Sequence, residues 1–442
     1  MGRYFGTDGI RGKAELFKKD FLAGIVDGLV DGHTEKKVLI GGDTRESTEW
    51  ILKDLADALE TFGVAYGNCG VLSTPAINYA FYQLGFDYAI DVTASHNPYS
   101  DNGIKIFERG EKSGIKLRVE KRGIIEEKLT EVDADKIYEL EKATINADLH
   151  EKVLDNYVQH LKNYVGEIDF SIIKIGVDCA NGATSVVGGK IFEMFGADVA
   201  TINDDAEYGQ KINREAGSTH IEGLQKLVTE RQLDCGVAFD GDGDRCLMVD
   251  ENGGVVDGDQ ILAILTEKLG LKKAVSTVAA NQGLAIWAEE YGVKLYTSDV
   301  GDQNVFLMME KEGAMIGGEQ SGHIILPGEA MGDGILTGLM VMKTLAESKK
   351  KLSELANVVK KFPQVAVNIP AKVEQKQKFK ENNFVEKFQA KYQSELEEVR
   401  GKLLLRPSGT EELIRIMVWG EELSKIEILA NKIAEELKGE LE

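Results

Sequence analysis

Asp240, Asp242 and Asp244 alternate with glycines in the run DGDGDR, directly after the apolar segment CGVAF. Three carboxylates crowded this closely repel one another unless a cation neutralises them, and an all-oxygen set suits Mg²⁺ or a similar hard ion. An EF-hand loop shares part of the spacing, because Asp240, Asp242, Asp244 and Glu251 fall at its first, third, fifth and twelfth positions. Its sixth position needs glycine for the sharp turn, and Arg245 stands there. The flanks also read as strands, so the EF-hand is rejected; a solvated acidic turn stays as the plainer alternative. Arg245, beside the carboxylates, supplies the planar fork of donors that a phosphate site uses.

Ser95 lies in TASHNP, just past the apolar run FDYAIDV, in a loop whose Asn97-Pro98 pair favours a turn. A lone serine in a turn is usually structural. Here His96 is adjacent and Lys105 follows in DNGIK. A Ser-His-Asp hydrolase fits less well, since adjacent Ser and His side chains diverge and no G-x-S-x-G elbow occurs. RPSGTE reads as an anion loop: Arg406, Ser408 and Thr410 offer side-chain donors, Gly409 lets backbone N–H groups approach, and Arg415 lies on the returning strand. It reads equally as a plain hairpin turn. GEQSGH holds Glu319, Gln320, Ser321 and His323, an inventory suited to sugar hydroxyls or an amine, or to a solvated loop. FGTDGIRG brings Thr7 and Arg11 into a glycine-rich loop, where a further phosphate contact is an expectation only.

These loops require elements that bring them together. A divergent unit occurs three times: a strand-like run, a glycine-containing turn and a helix-like stretch in KVLIGGDTRESTEWILKDLADAL, IKIGVDCANGATSVVGGKIFEMF and KAVSTVAANQGLAIWAEEYG. Each continues into a second strand, a second helix and a third strand, which runs into TASHNP, DGDGDR or GEQSGH. Alternating strands and helices predict mixed, mostly parallel α/β sheets, whose ligands bind beyond the carboxyl ends of the strands. Three equivalent loops then face one cleft. The predicted units are 1–150, 151–251 and 252–364, followed by an α+β module over 365–442 with its own turn, RPSGTE. Between the first two units lies a charge-dense stretch, and Val153, Tyr157, Leu161 and Tyr164 beside it recur at helical spacing, as core packing requires.

Composition narrows the partners. Against 52 Lys and Arg stand 74 Asp and Glu, a net charge of −22, so nucleic acid and anionic membranes are repelled. Any phosphate site must therefore build a local positive field. The four cysteines form no C-x-x-C pair, no apolar run is long enough to span a bilayer, and the N-terminal MGRYFGTDGIRG lacks an apolar signal region. A cytoplasmic protein is expected. Walker A, G-x-G-x-x-G and H-E-x-x-H sequences are all absent, which removes support for nucleotide kinases, dehydrogenases and zinc proteases.

FGTDGIRG, TASHNP, DGDGDR, GEQSGH and RPSGTE, in this order from Phe5 to Glu411, closely resemble the motifs of the α-D-phosphohexomutases. The resemblance implies four domains around one cleft, with Ser95 as the phosphoserine. It implies one Mg²⁺ per chain, held by Asp240, Asp242, Asp244 and the Ser95 phosphate. Glu319 and Ser321, with Thr7 and Gln320, would meet the substrate, while Arg406, Ser408, Gly409, Thr410 and Arg415 would hold its non-reacting phosphate. Arg11, Arg245, Lys105 and His323 take catalytic positions, the last two linked to proton transfer or substrate contact. Gln320 and the VGDQN run resemble the branch acting on glucosamine phosphates, which works through glucosamine 1,6-bisphosphate and feeds UDP-N-acetylglucosamine synthesis. Glu412 and Trp419 depart from the usual family residues. The glucose and mannose phosphate branch, and a sugar-phosphate phosphatase, are the rival expectations. A small phosphosugar is the expected partner, and a homodimer is left open.

Overall fold

The computed structural model describes residues 3–6, 8–111, 113–129, 145–379, 383–407 and 412–441. Residues 130–144 of the charge-dense stretch lie outside them.

In the first repeat, Lys37–Gly42 is the middle of a parallel trio, flanked by Ala65–Val71 and Tyr88–Val92. Val38, Leu39 and Ile40 are fully buried, as a strand covered on both faces demands. The helix Glu46–Thr61 turns Ile51, Leu52, Leu55 and Leu59 inward at helical spacing. The second repeat builds the same trio from Lys174–Asp178, Asp198–Ile202 and Cys235–Phe239. The third builds it from Lys273–Thr277, Lys294–Ser298 and the two-residue Gly317–Gly318.

After its third strand, each unit makes the same move. Tyr88–Val92, Cys235–Phe239 and Gly317–Gly318 each run into a loop and return as an antiparallel strand, Asp101–Arg109, Cys246–Asp250 and Ile324–Ile325. The three chemically loaded loops are the tips of these three hairpins. Antiparallel strands thus extend a parallel core in each of these three sheets; Val255–Val256, beyond the 251/252 division, pairs with Cys246–Asp250 as the edge of the second.

The helix Ala147–Val165 spans the 150/151 division. Asn146 caps it by accepting from the Leu149 N–H. Val153, Tyr157 and Leu161 are fully buried, and the Tyr164 hydroxyl donates to the Pro327 carbonyl of the third unit. The helical spacing read from the sequence is therefore a packing face.

The C-terminal module is an antiparallel sheet, Gln364–Pro370, Leu413–Trp419 and Lys402–Pro407 in that order, closed by the helix Leu423–Leu441. Ile426, Leu429, Ile433 and Leu437 anchor that helix, each worth about 1.5–3 kcal/mol on burial. They join Ile369, Ile414 and Ile416 in a core separate from the larger one shared by the three repeats. Among the described residues, the charged stretch before Lys402 forms the short helices Val373–Lys378, Phe384–Ala390 and Gln393–Glu398. Asn383, at φ 55°, starts the second with left-handed backbone that a continuous helix could not contain.

Candidate active site

Ser95 occupies the left-handed region at φ 54°, a conformation that costs a serine about 1–3 kcal/mol and persists only where surroundings impose it. The surroundings do so from both sides. Its N–H donates to Thr93 Oγ1 at 2.9 Å, and its carbonyl accepts from Arg45 Nη2 and Asn213 Nδ2, each at 2.8 Å. Arg45 is wholly buried; its Nε donates to Asp43 Oδ2 at 2.9 Å, and its guanidinium also reaches the carbonyls of Asn97, Pro98 and Asp101. Held this way, Ser95 Oγ donates to Asp240 Oδ2 at 2.6 Å, joining the first hairpin tip to the second.

Asp240, Asp242 and Asp244 are all buried, and each offers a carboxylate oxygen within 4.8 Å of the others. Burial, followed by the charges of Asp242 and Asp244, drives the Asp240 pKa well above the usual carboxylate range. Lys105 Nζ stands among them, 2.6 Å from Asp242 Oδ2 and 2.7 Å from Asp244 Oδ2. Burial opposes its charge, but Asp242, Asp244 and Asp8 outweigh that and hold its pKa well above the ordinary lysine value. The other oxygens, Asp242 Oδ1 and Asp244 Oδ1, are buried without a hydrogen-bond partner. Orphaned carboxylate oxygens are costly, and a hard divalent cation is the partner their chemistry fits. The three aspartates could hold a metal ion.

A ring of cations surrounds this centre, and each has a carboxylate partner. Arg11 and Lys116 both bind Asp8, and Lys116 also binds Asp302. Arg245 Nε lies 3.6 Å from Asp244 Oδ1, and Arg245 Nη1 lies 3.3 Å from His96 Nδ1. Burial first, then Arg245 and Arg11, push the His96 pKa down to about 3, so the ring is neutral and accepts from Arg245. With that nitrogen engaged, the Ser95 proton has Asp240 as its partner. For His323, burial would lower the pKa, but the nearby Asp244 carboxylate, with Asp302 and Glu319, raises it. Its Nε2 accepts the Gly332 N–H at 2.9 Å, leaving Nδ1 as the proton donor toward Asp244, 3.7 Å away.

The third hairpin tip brings Glu319 to the cleft, with Oε1 accepting the Gly301 N–H at 2.9 Å from the VGDQN loop. Gly322, at φ 93°, lets this tip rest on the second sheet, because a Cβ there would lie 2.0 Å from the Cys246 carbonyl. Ser321 is exposed. Gln320 turns its amide to Gln364 of the C-terminal module, 3.5 Å away, a link between modules.

In that module Arg406 and Arg415 are directly opposed cross-strand partners. Burial, then the Arg415 charge, lower the Arg406 pKa, with Glu319 and Asp299 acting the other way. Facing like charges destabilise a strand pair, and a shared anion reverses the sign of that effect. Thr7, Ser408, Gly409 and Thr410 lie outside the described residues.

Several participants escaped the sequence reading. Asp8 and Asp302 sit inside FGTDGIRG and VGDQN, so their motifs were visible although their roles were not. Thr74, whose hydroxyl contacts both Asp91 and Asp242, and Lys116, Arg45 and Asn213 stand in segments with no chemical signature.

The domain descriptions that the chain matches agree with this layout. Residues 2–136, 155–254 and 257–362 match alpha/beta/alpha domains I, II and III of phosphoglucomutase/phosphomannomutase, and residues 345–436 match its C-terminal domain. The phosphoglucosamine mutase of Caldicellulosiruptor bescii is 40% identical over 458 residues, covering 100% of both chains. A solved phosphoglucomutase/phosphomannomutase family protein from Burkholderia thailandensis shares the fold with a TM-score of 0.73 at 20% identity, over 98% of this chain and 97% of that one. The N-acetylphosphoglucosamine mutase of Aspergillus fumigatus, solved with GlcNAc-6P and magnesium, gives a TM-score of 0.63 at 17% identity, over 98% and 95%.

Proposed function

The chain belongs to the phosphoglucomutase/phosphomannomutase family, and we propose that it interconverts glucosamine 6-phosphate and glucosamine 1-phosphate through a phosphoserine at Ser95. One observation carries the chemistry: Ser95 Oγ, from the first hairpin tip, lies 2.6 Å from Asp240 in the carboxylate cluster of the second. The full-length phosphoglucosamine mutase relative supports the substrate.

Asp240, Asp242 and Asp244, with the Ser95 phosphate, would hold one Mg²⁺, which when bound offsets charge on the transferring phosphoryl group. In the forward direction, the bond from phosphorus to Ser95 Oγ breaks as a bond from phosphorus to the sugar O1 forms. The proton leaving the sugar hydroxyl is balanced by the one gained by Ser95 Oγ, which then donates to Asp240 Oδ2. Arg245 and Arg11 lie where they can stabilise the moving charge, and transfer of this kind is mainly positioning and electrostatics. Lys105, held charged, and His323, with its proton toward Asp244, are placed to handle protons or sugar oxygens. The resulting glucosamine 1,6-bisphosphate turns round, and Ser95 Oγ takes the 6-phosphoryl group, releasing glucosamine 1-phosphate.

The remaining assignments follow the same layout. Glu319 and Ser321 would meet sugar hydroxyls. Arg406 and Arg415, with Thr7 and the 408–410 loop, would grip the phosphate that is not reacting. The separate core of the C-terminal module suits a clamp that opens and closes around either end of the sugar. We place the enzyme in the cytoplasm. Four buried free cysteines support this, and among the described residues no helix is long and apolar enough to cross a membrane.

The deciding assay compares turnover of glucosamine 6-phosphate with that of glucose 6-phosphate and mannose 6-phosphate under Mg²⁺. We expect the amino sugar to have the highest kcat/KM. Preference for glucose or mannose phosphate would move the chain to the other branch, and release of inorganic phosphate equal to substrate consumed would make it a phosphatase.

A further inference from the structure

We infer that Asn213 is a positioning residue for phosphoryl transfer, tying the Ser95 loop of the first unit to the unit that bears the three aspartates. The inference rests on the reading of Ser95 as the phosphoryl carrier. Asn213 lies between the strand Asp198–Ile202 and the helix Glu222–Arg231, with 8% of its surface exposed. Its Nδ2 donates to the Ser95 carbonyl at 2.8 Å and to the Asn97 carbonyl at 3.1 Å, both across the boundary between units. Its own N–H donates to the Ala180 carbonyl at 2.9 Å, in the loop after Lys174–Asp178. The side chain therefore extends from the second sheet and grips the nucleophile's peptide.

The metal loop is shaped to allow this. A Cβ on Gly241 would lie 2.6 Å from the Ser95 carbonyl oxygen and 2.9 Å from Asn213 Nδ2, so only glycine between Asp240 and Asp242 lets the three groups meet. Arg45 also donates to the Ser95 and Asn97 carbonyls, but it belongs to the same unit and fixes the loop's shape, not its register against the aspartates. The units are also linked by the Thr44 hydroxyl on the Asn181 carbonyl, the Glu46 N–H on the Gly209 carbonyl, Thr74 on Asp242 and, at the loop itself, Ser95 Oγ on Asp240 and Arg245 on His96, but none of these engages the Ser95 or Asn97 carbonyl. Arg45 keeps the strained Ser95 peptide, at φ 54°, engaged within its own unit, while Asn213 fixes where that peptide sits against the second unit and so the 2.6 Å approach of Ser95 Oγ to Asp240.

Asn213 is itself at φ 58°, and asparagine is a common choice for such turns. Asn213→Gly separates the two roles, because glycine adopts this backbone at least as readily but carries no donor. A turn-forming role leaves the variant as active as the wild type. The positioning role lowers kcat by about ten- to a hundredfold, the range expected of a reacting group misplaced by an ångström or less. KM for glucosamine 6-phosphate stays within about twofold, since Asn213 touches no substrate-binding group. Phosphate loss from Ser95 to water slows in parallel. Asn213→Asp keeps the size and tolerates the backbone but turns an acceptor toward two carbonyl oxygens, so its kcat falls at least as far; it is also the variant to read if the glycine variant does not fold. Normal kcat in Asn213→Gly, or joint collapse of kcat, KM and melting temperature in both variants, overturns the inference. Wild-type protein assayed alongside keeps the failures apart. If it shows neither a Ser95 phosphate by intact mass nor mutase turnover, the reading of Ser95 falls and this inference with it. A working wild type with a working Asn213→Gly refutes the positioning role alone.

Discussion

Replacing Lys105 with Met should make the stability of this protein depend on magnesium. The Lys105 ammonium is 2% exposed and sits 2.6 Å from Asp242, 2.7 Å from Asp244 and 3.5 Å from Asp8. Methionine fills much of the same volume without the charge. In EDTA the variant leaves buried carboxylates unpaired, a loss of about 3–5 kcal/mol for a broken buried ion pair. Saturating Mg²⁺ supplies a substitute charge through the oxygens that have no partner. What then persists is the unmet hydrogen bonding of the two Oδ2 atoms, about 1–3 kcal/mol. The cation should therefore restore about 2 kcal/mol, the difference between the two ranges. At about 2–4 °C per kcal/mol for a domain of this scale, that is a rescue of roughly 4–8 °C in the melting temperature. The wild type, whose carboxylates already have a cation, should gain less. The Lys105 pKa is raised on folding, so its contribution is fully present below the ordinary lysine pKa and is lost only above it. Melting curves at pH 7, followed by circular dichroism with EDTA or Mg²⁺, thus read the whole effect. An equal drop in both conditions, or an equal magnesium gain in wild type and variant, would refute this picture of the cluster.

Three further outcomes are expected. Ser95→Ala should keep its melting temperature, carry no phosphate by intact mass and lose nearly all mutase turnover; a phosphorylated, active variant would remove Ser95 from the reaction. Arg415→Lys should lower kcat/KM about ten- to a hundredfold, because a lysine cannot reproduce the bidentate fork and a charged hydrogen bond is worth about 1.5–3 kcal/mol. Spontaneous phosphate loss from Ser95 should be unaffected there, and a parallel fall in both rates would sink the clamp assignment. Asp259 is fully buried, with one oxygen on the Asn281 N–H at 2.7 Å and the other unpartnered, and burial followed by Asp257 raises its pKa from 3.8 to about 7. An acid raised this way costs stability as pH climbs from the unfolded value through the folded one, and the cost is complete above that range. Asp259→Asn should therefore be more stable than wild type at pH 8, by up to about 4 kcal/mol, with the advantage vanishing near pH 4. Urea titrations across that range check it, and an advantage independent of pH would rule out ionisation as the cause.

The sequence was most legible where chemistry and periodicity coincided. DGDGDR and TASHNP announce themselves by residue type, and the apolar runs before them place both at strand ends. Val153, Tyr157 and Leu161 gave their helix away by spacing alone. Long-range partners left no such trace. Arg45 and Asn213 meet Ser95 from positions 50 residues before it and 118 after it, and neither lies in a run of unusual composition. Lys105 stands close to Ser95 in sequence, but its partners are Asp242 and Asp244, more than 130 residues away. The motif of Gln320 points to substrate contact, and the link from its amide to Gln364, 3.5 Å away, is visible only in the placement of the fourth sheet. Local pattern predicts which loops are loaded; it does not predict which buried side chains connect them.

The distribution of charge gives the two proposed phosphate sites different characters. Four cations, Arg11, Lys105, Lys116 and Arg245, meet five carboxylates at the centre, Asp8, Asp240, Asp242, Asp244 and Asp302. With all five acids ionised that centre is one charge negative, and the raised pKa of Asp240 relieves that excess, so a phosphoryl dianion placed there without further compensation would meet no net positive charge. A divalent cation on the aspartates makes the centre one charge positive, so metal binding and phosphoryl occupancy favour each other. The clamp has the opposite character. Arg406 and Arg415 face each other across two strands, and the charges of Glu319 and Asp299 act on Arg406 against that of Arg415. A phosphate entering the clamp relieves a repulsion already present, and it needs no metal to do so. In the proposed reaction one phosphate rests in each site while the sugar stays within the cleft. The sites therefore need not be alike: one must hold a phosphate in either orientation of the sugar, and the other must let it leave for a new bond. A chain with a net charge of −22 would serve both by neutralising its central cations in advance and by setting two arginines face to face where the remote phosphate is proposed to bind.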